Sequence, residues 1–381
     1  MAAEQGSDRM PPASDRTPSV NIRDVASAAG VSYQTVSRVI NESPSVKSST
    51  RQAVLDTIAQ LGFRPNRAAR ALAGGPVQSV TVLTSNTRLY GFAAALEGIE
   101  EATRAAGFAL GVRVVESGTP GDVRDAVERA IEPAGALIVI AYDRSGIAAL
   151  NAVPPDVPVA AIVETPPGNE AAGKPWVWID DRKAAGDVTN FLLGLGHETV
   201  HYVSIPIQTT VSQRMLGWRS ALETAGVTVP KPLQGGWEPQ SGCEMGQRLA
   251  RDPKVTAVLC GNDDLAFGVM RAMHKAGRAI PDDVSIVGFD DTPLSAFYTP
   301  ALTTVRQDFV ALGRMCFAKL LSLLDASANV VLDGSPWPQP ELIIRESVGP
   351  PPRRQRRRSA GPRPVAPSSG RDLGTNEVPD A

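Results

Sequence analysis

The sequence predicts two folds in one chain: a small all-α helix-turn-helix head, then an α/β core of two doubly wound parallel-sheet subdomains. Three observations lead there. Residues 22–41, IRDVASAAGVSYQTVSRVIN, carry two short helical patterns broken by a glycine. From Val77 onward, apolar runs alternate with helical stretches. That region is about 270 residues long, large for one open sheet, so it divides into two subdomains.

The elements follow in order. Residues 1–18, rich in Pro, Ser and charge, read as disordered. The head spans 19–63. Ile22, Val25 and Ala26 share one helical face, and Gly30 ends that helix because glycine enters a left-handed backbone cheaply. The Ser32 hydroxyl can cap the second helix. Val36, Val39 and Ile40 then point back at the first, leaving Tyr33, Gln34, Ser37 and Arg38 outward. Such a face fits the DNA major groove, where an amide and a guanidinium read base edges. The competing reading is a helical hairpin that packs elsewhere. Ser48 or Ser49 caps a third helix, Thr50 to Leu61, with Val54, Leu55, Ile58 and Leu61 on one face and Gly62 stopping it. Residues 64–76, RPNRAARALAGGP, form a short helix begun by Pro65 and Asn66 and ended by Gly74, Gly75 and Pro76, or else a plain basic linker. A helix that short is not stable alone in water.

The core spans 77–348. Its strand-like runs are QSVTVLTS, FALGVRVVE, ALIVIAY, VPVAAIV, WVWID, VHYVSI, TAVLCGN and VSIVGFD. Apolar strands alternating with helices imply parallel sheets covered on both faces, which bind ligands at the carboxyl ends of their strands. The tail, 349–381, is Pro/Arg-rich and reads as disordered. Its RRQRRR run either adds non-specific phosphate contacts or is a solvated tail.

Composition sets the class. Hydrophobic content of 43% and charged content of 20% describe a globular chain. With no apolar run long enough to span a bilayer and no secretory leader, the expected location is cytoplasmic, associated with the nucleoid, with no membrane partner. The three cysteines lack metal-ligand spacing. No Ser–His–Asp arrangement, metal cluster or phosphate loop is seen, so no enzyme, catalytic residue, metal site or cofactor is predicted. The net charge of −2 hides an asymmetry: residues 19–73 hold seven Lys/Arg against three Asp/Glu, as do residues 349–381. A basic head on an acidic body suits a DNA reader whose body must not adhere to phosphate.

GVSYQTVSRVIN, together with the basic stretch Arg64–Ala73, resembles the lac repressor family, and the similarity runs from about Asn21 to about Ser347. Tyr33 and Gln34 match the pair of the family's eponymous member. The resemblance implies that Arg38 and Gln34 read bases with Tyr33 assisting, and that Ser32, Thr35, Ser37 and Asn41 contact phosphates. It makes 64–76 a hinge helix that orders on DNA through Asn66, with Ala69 beside the partner hinge and Leu72 wedged into the minor groove. It implies a core like periplasmic sugar-binding proteins, crossed by the chain near Asp180, near Val305 to Gln307, and near Ala328. Arg214, Asn262 and Asp290 fall at sugar-binding positions, with Ser85 and Gln307 as further matches and Trp237 and Phe309 as apolar walls. Glu164 stands near a family carboxylate but out of register with it. His197 reads as a structural cap. No leucine heptad joins dimers into tetramers. The implied function is a homodimeric repressor of carbohydrate, galactoside-type, utilisation genes on a near-palindromic operator, released by a sugar inducer. The alternatives are a purine, nucleoside or sugar-phosphate effector, or a sugar-binding module without DNA function.

Overall fold

A computed structural model describes residues 20–40, 43, 45–63, 79–164, 166, 173–206, 212–324 and 338–352. The chain divides into two units, Met1–Val77 and Gln78–Ala381.

The first unit holds α1 (Ile22–Ala28), α2 (Tyr33–Ile40) and α3 (Ser48–Leu61). Asn21 starts α1 with a capping box: its side chain accepts from the Arg23 and Asp24 N–H groups, while Asp24 accepts from the Asn21 N–H. Gly30 follows α1 at φ +64, the left-handed turn the sequence demands. Ser32 then accepts from the Thr35 N–H at 3.1 Å, which caps α2. Val25, Ala26, Val36, Val39, Val54 and Phe63 form the core.

The third helix departs from expectation. Lys47 occupies its cap position with no side-chain hydrogen bond, so neither Ser48 nor Ser49 caps it. Leu55 and Leu61 are exposed. The core needs only a narrow stripe of α3, and Phe63, tucked under by Gly62 at φ +61, closes it instead.

The second unit contains two parallel sheets. The first takes β1 (Ser79–Thr84), β2 (Ala109–Val114), β3 (Leu137–Ala141), β4 (Val159–Val163) and β5 (Trp176–Val177) in the order β2-β1-β3-β4-β5. Their connectors include α4 (Tyr90–Ala105), α5 (Pro120–Ala134) and α6 (Arg144–Ala152). Alternation along β3 sends Ile138 and Ile140 into one core layer and Leu137, Val139 and Ala141 into the other. Contrary to the buried run expected of FALGVRVVE, Gly111 to Val114 are exposed, because β2 is an edge strand with a neighbour on one side only.

The chain then crosses over at Asp180, the N-cap of α7 (Asp181–Gly194). The second sheet, in the order β7-β6-β8-β9, comprises β6 (His201–Ser204), β7 (Leu233–Gln234), β8 (Ala257–Cys260) and β9 (Ser285–Val287). Around it run α8 (Gln213–Thr224), α9 (Pro239–Ala250) and α10 (Asp263–Lys275). A short antiparallel pair, β10 (Thr304–Arg306) and β11 (Glu341–Ile343), lies beyond β9. After β10 the chain crosses back as α11 (Phe309–Leu324), whose Leu312, Cys316, Phe317 and Leu320 enter the core of the first sheet. A Cβ on Gly98 would clash with the Val310 carbonyl oxygen, so α4 and α11 meet in near backbone contact. The third crossing, near Ala328, lies outside the described residues, as do Asn41, residues 64–78, the N-terminal 19 and the tail from 353.

His197 is a clip rather than a helix cap. It is buried, with one ring nitrogen 2.9 Å from the Thr256 hydroxyl and the other near the Ser285 hydroxyl and the Gly349 carbonyl. Burial lowers its pKa, which keeps it neutral. Among the described residues no helix is long and apolar enough to cross a membrane.

Candidate functional site

The head presents one polar face. Val36 and Val39 fix α2 to the core, and that orientation leaves Tyr33, Gln34 and Arg38 exposed and Ser37 half-buried. The Ser32 and Thr35 hydroxyls bond each other at 2.9 Å as part of the cap, so both already hold structural partners. Asn66, Ala69 and Leu72 lie outside the described residues.

In the second unit a cleft of about 710 Å³, open to solvent, runs between the two sheets. One wall is apolar and aromatic: Tyr90, Phe92, Tyr142, Ile179, Phe309 and Leu312. The Phe309 ring meets Tyr90 and Tyr142 edge to face, at 6.1 and 6.0 Å between centroids. The opposite wall is polar, and it comes from the carboxyl ends of the strands. Beyond β8 lies Asn262 and beyond β9 lies Asp290, while Arg214 projects from the first turn of α8 and Gln307 follows β10.

Arg214 is the hub. Its Nε lies 3.2 Å from Asp181 and its Nη2 lies 3.5 Å from Asp290, both at ion-pair rather than hydrogen-bond geometry. Nη2 donates to Gln307 Oε1 at 3.0 Å and Nη1 donates to the Gly261 carbonyl. The guanidinium plane lies over the Phe289 ring at 4.1 Å. Gln307 in turn donates to Asp181. Burial alone would lower the Arg214 pKa; Asp181 and Asp290 outweigh it and raise it, so the cation is permanent. Asp181 stands at the first crossing and Gln307 at the second, so two of the segments that join the subdomains are tied through one arginine.

Asp290 has φ 107 and its neighbour Asp291 has φ 54, a backbone that L-residues rarely adopt. The turn holds because Asp290 donates its N–H to the Val305 carbonyl and Asp291 is clamped by Arg306 and Arg345. Strain of this kind gathers at functional sites. Here it delivers the Asp290 carboxylate to the cleft, where burial first, and Asp263 and Asp181 after it, raise its pKa well above the carboxylate range against the pull of Arg214. Burial also pushes Glu164, which lines the same cleft, up to about 7. Asp263 differs: Thr292 N–H and the Ser295 and Thr304 hydroxyls all donate to it, so it braces the loop.

Six of the seven effector candidates therefore meet in one cleft: Arg214, Trp237, Asn262, Asp290, Gln307 and Phe309. Asn262 is partly committed, capping α10 through the Leu265 N–H and donating to the Trp237 carbonyl at 3.1 Å. Ser85 is not part of the lining, and its hydroxyl donates to Asp143 at 2.5 Å. Sequence reasoning overlooked Asp181, Tyr90 and Tyr142. Asp181 had a signal, since it follows the apolar run of β5 at the predicted crossing. No metal-binding group of three His, Cys, Asp or Glu occurs among the described residues.

A helix-turn-helix head in the same chain as a two-sheet core with such a cleft defines a class, DNA-binding regulators with a periplasmic-binding-protein-like core. Residues 21–66 match the bacterial regulatory proteins of the lacI family, and residues 189–348 match a periplasmic binding protein-like domain. The HTH-type transcriptional repressor PurR of Haemophilus influenzae is 32% identical over 337 residues, covering 86% of this chain and 98% of the relative. The lactose operon repressor of Escherichia coli is 31% identical over 315 residues, covering 81% and 86%. A crystal structure of the lac repressor dimer bound to operator and the anti-inducer ONPF has a TM-score of 0.75 at 28% identity, covering 87% of this chain and 99% of that one. The chain belongs to the lacI family and is a DNA-binding transcriptional repressor.

Proposed function

We propose that this repressor controls carbohydrate-utilisation genes, of galactoside type, and leaves its operator when a sugar fills the cleft. The observation that carries the reading is the Arg214 hub: an arginine, two carboxylates and the Gln307 amide converge beside an aromatic wall, with the Asn262 amide lining the same cleft, supplying donors and acceptors for vicinal hydroxyls. The same hub joins two crossing segments, so a ligand that engages it biases the subdomain arrangement. In this reading residues 19–63 form the DNA-binding domain, 64–76 a hinge, and 77–348 the effector-binding and dimerisation core. A homodimer sets two α2 helices on a near-palindromic operator in the cytoplasm. Gln34, Arg38 and Tyr33 read bases. Ser32, Thr35, Ser37 and Asn41 meet phosphates, and Asn66, Ala69 and Leu72 act at the hinge.

A second reading, a purine effector, draws support from the PurR relatives. Calorimetric titration with hexoses and with nucleobases separates the two. Heat from a hexose that also lowers operator affinity supports the first, and heat from a nucleobase alone overturns it.

A further inference from the structure

We infer, resting on the sugar reading of the cleft, that Tyr142 is a specificity-determining residue, whose hydroxyl donates a hydrogen bond to one hydroxyl oxygen of the sugar and so ties the sugar to the first subdomain. Hydrogen-bonding groups are unevenly spread around the cleft. Arg214, Asn262, Asp290 and Gln307 all lie on the polar wall. The first subdomain offers mainly apolar and aromatic side chains, and Ser85 adds nothing, because its hydroxyl is taken by Asp143.

Tyr142 stands one residue beyond β3, at the carboxyl end of its strand, and lines the cleft. Its ring meets Phe92 edge to face at 5.2 Å between centroids and Phe309 at 6.0 Å. Packing against two rings fixes where the hydroxyl sits. The residue is half-buried, yet its Oη is shut off from solvent and has no hydrogen-bond partner. Two other residues of the lining bury an atom without a hydrogen bond, Arg214 at Nε and Asp290 at Oδ1. Those two are answered by charge, since Nε faces Asp181 and Oδ1 faces the guanidinium. Tyr142 has no such answer among the described residues.

A phenylalanine would make the same ring contacts without the cost of burying an unpaired hydroxyl. Buried tyrosine hydroxyls normally have a partner, and the space this one borders is the cleft. Burial first, then Asp181 and Asp290, raise its pKa well above the ordinary phenol value, so it stays a neutral donor. A sugar hydroxyl suits it, since that oxygen accepts from Tyr142 while its own proton is free for a carboxylate of the polar wall. Such a site rejects an analogue that lacks the oxygen, because the donor is then left buried and unpaired.

The test is a cycle on the full chain. Wild type and Tyr142→Phe are titrated calorimetrically with galactose and its 1-, 2-, 3-, 4- and 6-deoxy analogues, and with the glucose series, and both free proteins are melted. Wild type should bind one deoxy analogue about 5- to 150-fold more weakly than its parent, the factor of one unpaired buried group. Tyr142→Phe should bind that pair alike, leave the ranking of the other analogues unchanged, and melt no lower than wild type. A variant that keeps the wild-type ratio, or weakens every probe by one factor, overturns the inference. A lower Tm of the free variant overturns it too, because the hydroxyl then serves the fold. Hexoses that bind with no deoxy analogue set apart leave the sugar reading standing without it, whereas silence across the whole panel overturns both.

Discussion

Replacing Arg214 by methionine tests the hub directly. The side chain is buried, with Asp181 and Asp290 at 3.2 and 3.5 Å. Methionine fills much of the volume but strands both acids, along with the Gly261 carbonyl. Removing one partner from a buried ion pair costs about 3–5 kcal/mol. For a core of this size each kcal/mol moves Tm by roughly 2–4 °C, so a fall of roughly 6–20 °C is expected at pH 7.5. The deficit should shrink on acidification. Burial holds the Asp290 pKa above its unfolded value even against Arg214, so the penalty for leaving that carboxylate without its cation is absent once both states are protonated and grows as pH rises toward the folded value. The assay is calorimetric melting of wild type and Arg214→Met from pH 5 to 8.5. A fall below about 2 °C, or one that is the same at every pH, would refute the claim that Arg214 holds these acids in place.

Three further outcomes are expected. In Glu164→Gln, the carboxylate that burial holds at about 7 instead of near 4.5 is removed. Because that folded pKa is raised, wild type loses stability as pH climbs through 7. The variant should therefore be more stable than wild type at pH 8 by up to ~3 kcal/mol and equal to it below pH 4.5, as read by chemical denaturation at both. Gln34→Ala should relax preference at one base-pair position of the operator by about 1–3 kcal/mol in a binding-site selection, whereas a uniform loss across all sequences would show that Gln34 touches backbone only. Phe297 is 83% exposed, next to Leu294 at 61% and Tyr298 at 42%, an apolar surface that a second copy of the chain would cover. Phe297→Asp should give a monomer by sedimentation velocity, and an unchanged dimer mass would move the interface elsewhere.

The fold was legible where periodicity was long. Helical spacing located α1 and α2, and the eight apolar runs each contain a strand of the two sheets. The strands β7, β10 and β11 have only two or three residues each, too short to show a period. Exposure of β2 was hidden because Val112 and Val114 read as buried until the sheet order makes them an edge. In the cleft, Arg214, Asn262, Asp290 and Gln307 were singled out through motif resemblance. Asp181 and Tyr142 were not, because their roles come from pairings across a large sequence separation: Asp181 joins Gln307, 126 residues away. Local pattern carries no record of such contacts. Nor could it show that Ser85 turns to Asp143, which caps α6.

The central claim is that filling the cleft releases DNA, and operator occupancy measured against cleft occupancy in one sample tests it most directly. Fluorescence anisotropy of a labelled operator, titrated with the sugar that calorimetry identifies, should show affinity falling by about 5- to 150-fold as the cleft saturates, the usual range of allosteric coupling. By reciprocity the operator should weaken the sugar by the same factor. A saturated cleft with operator affinity unchanged would contradict the account.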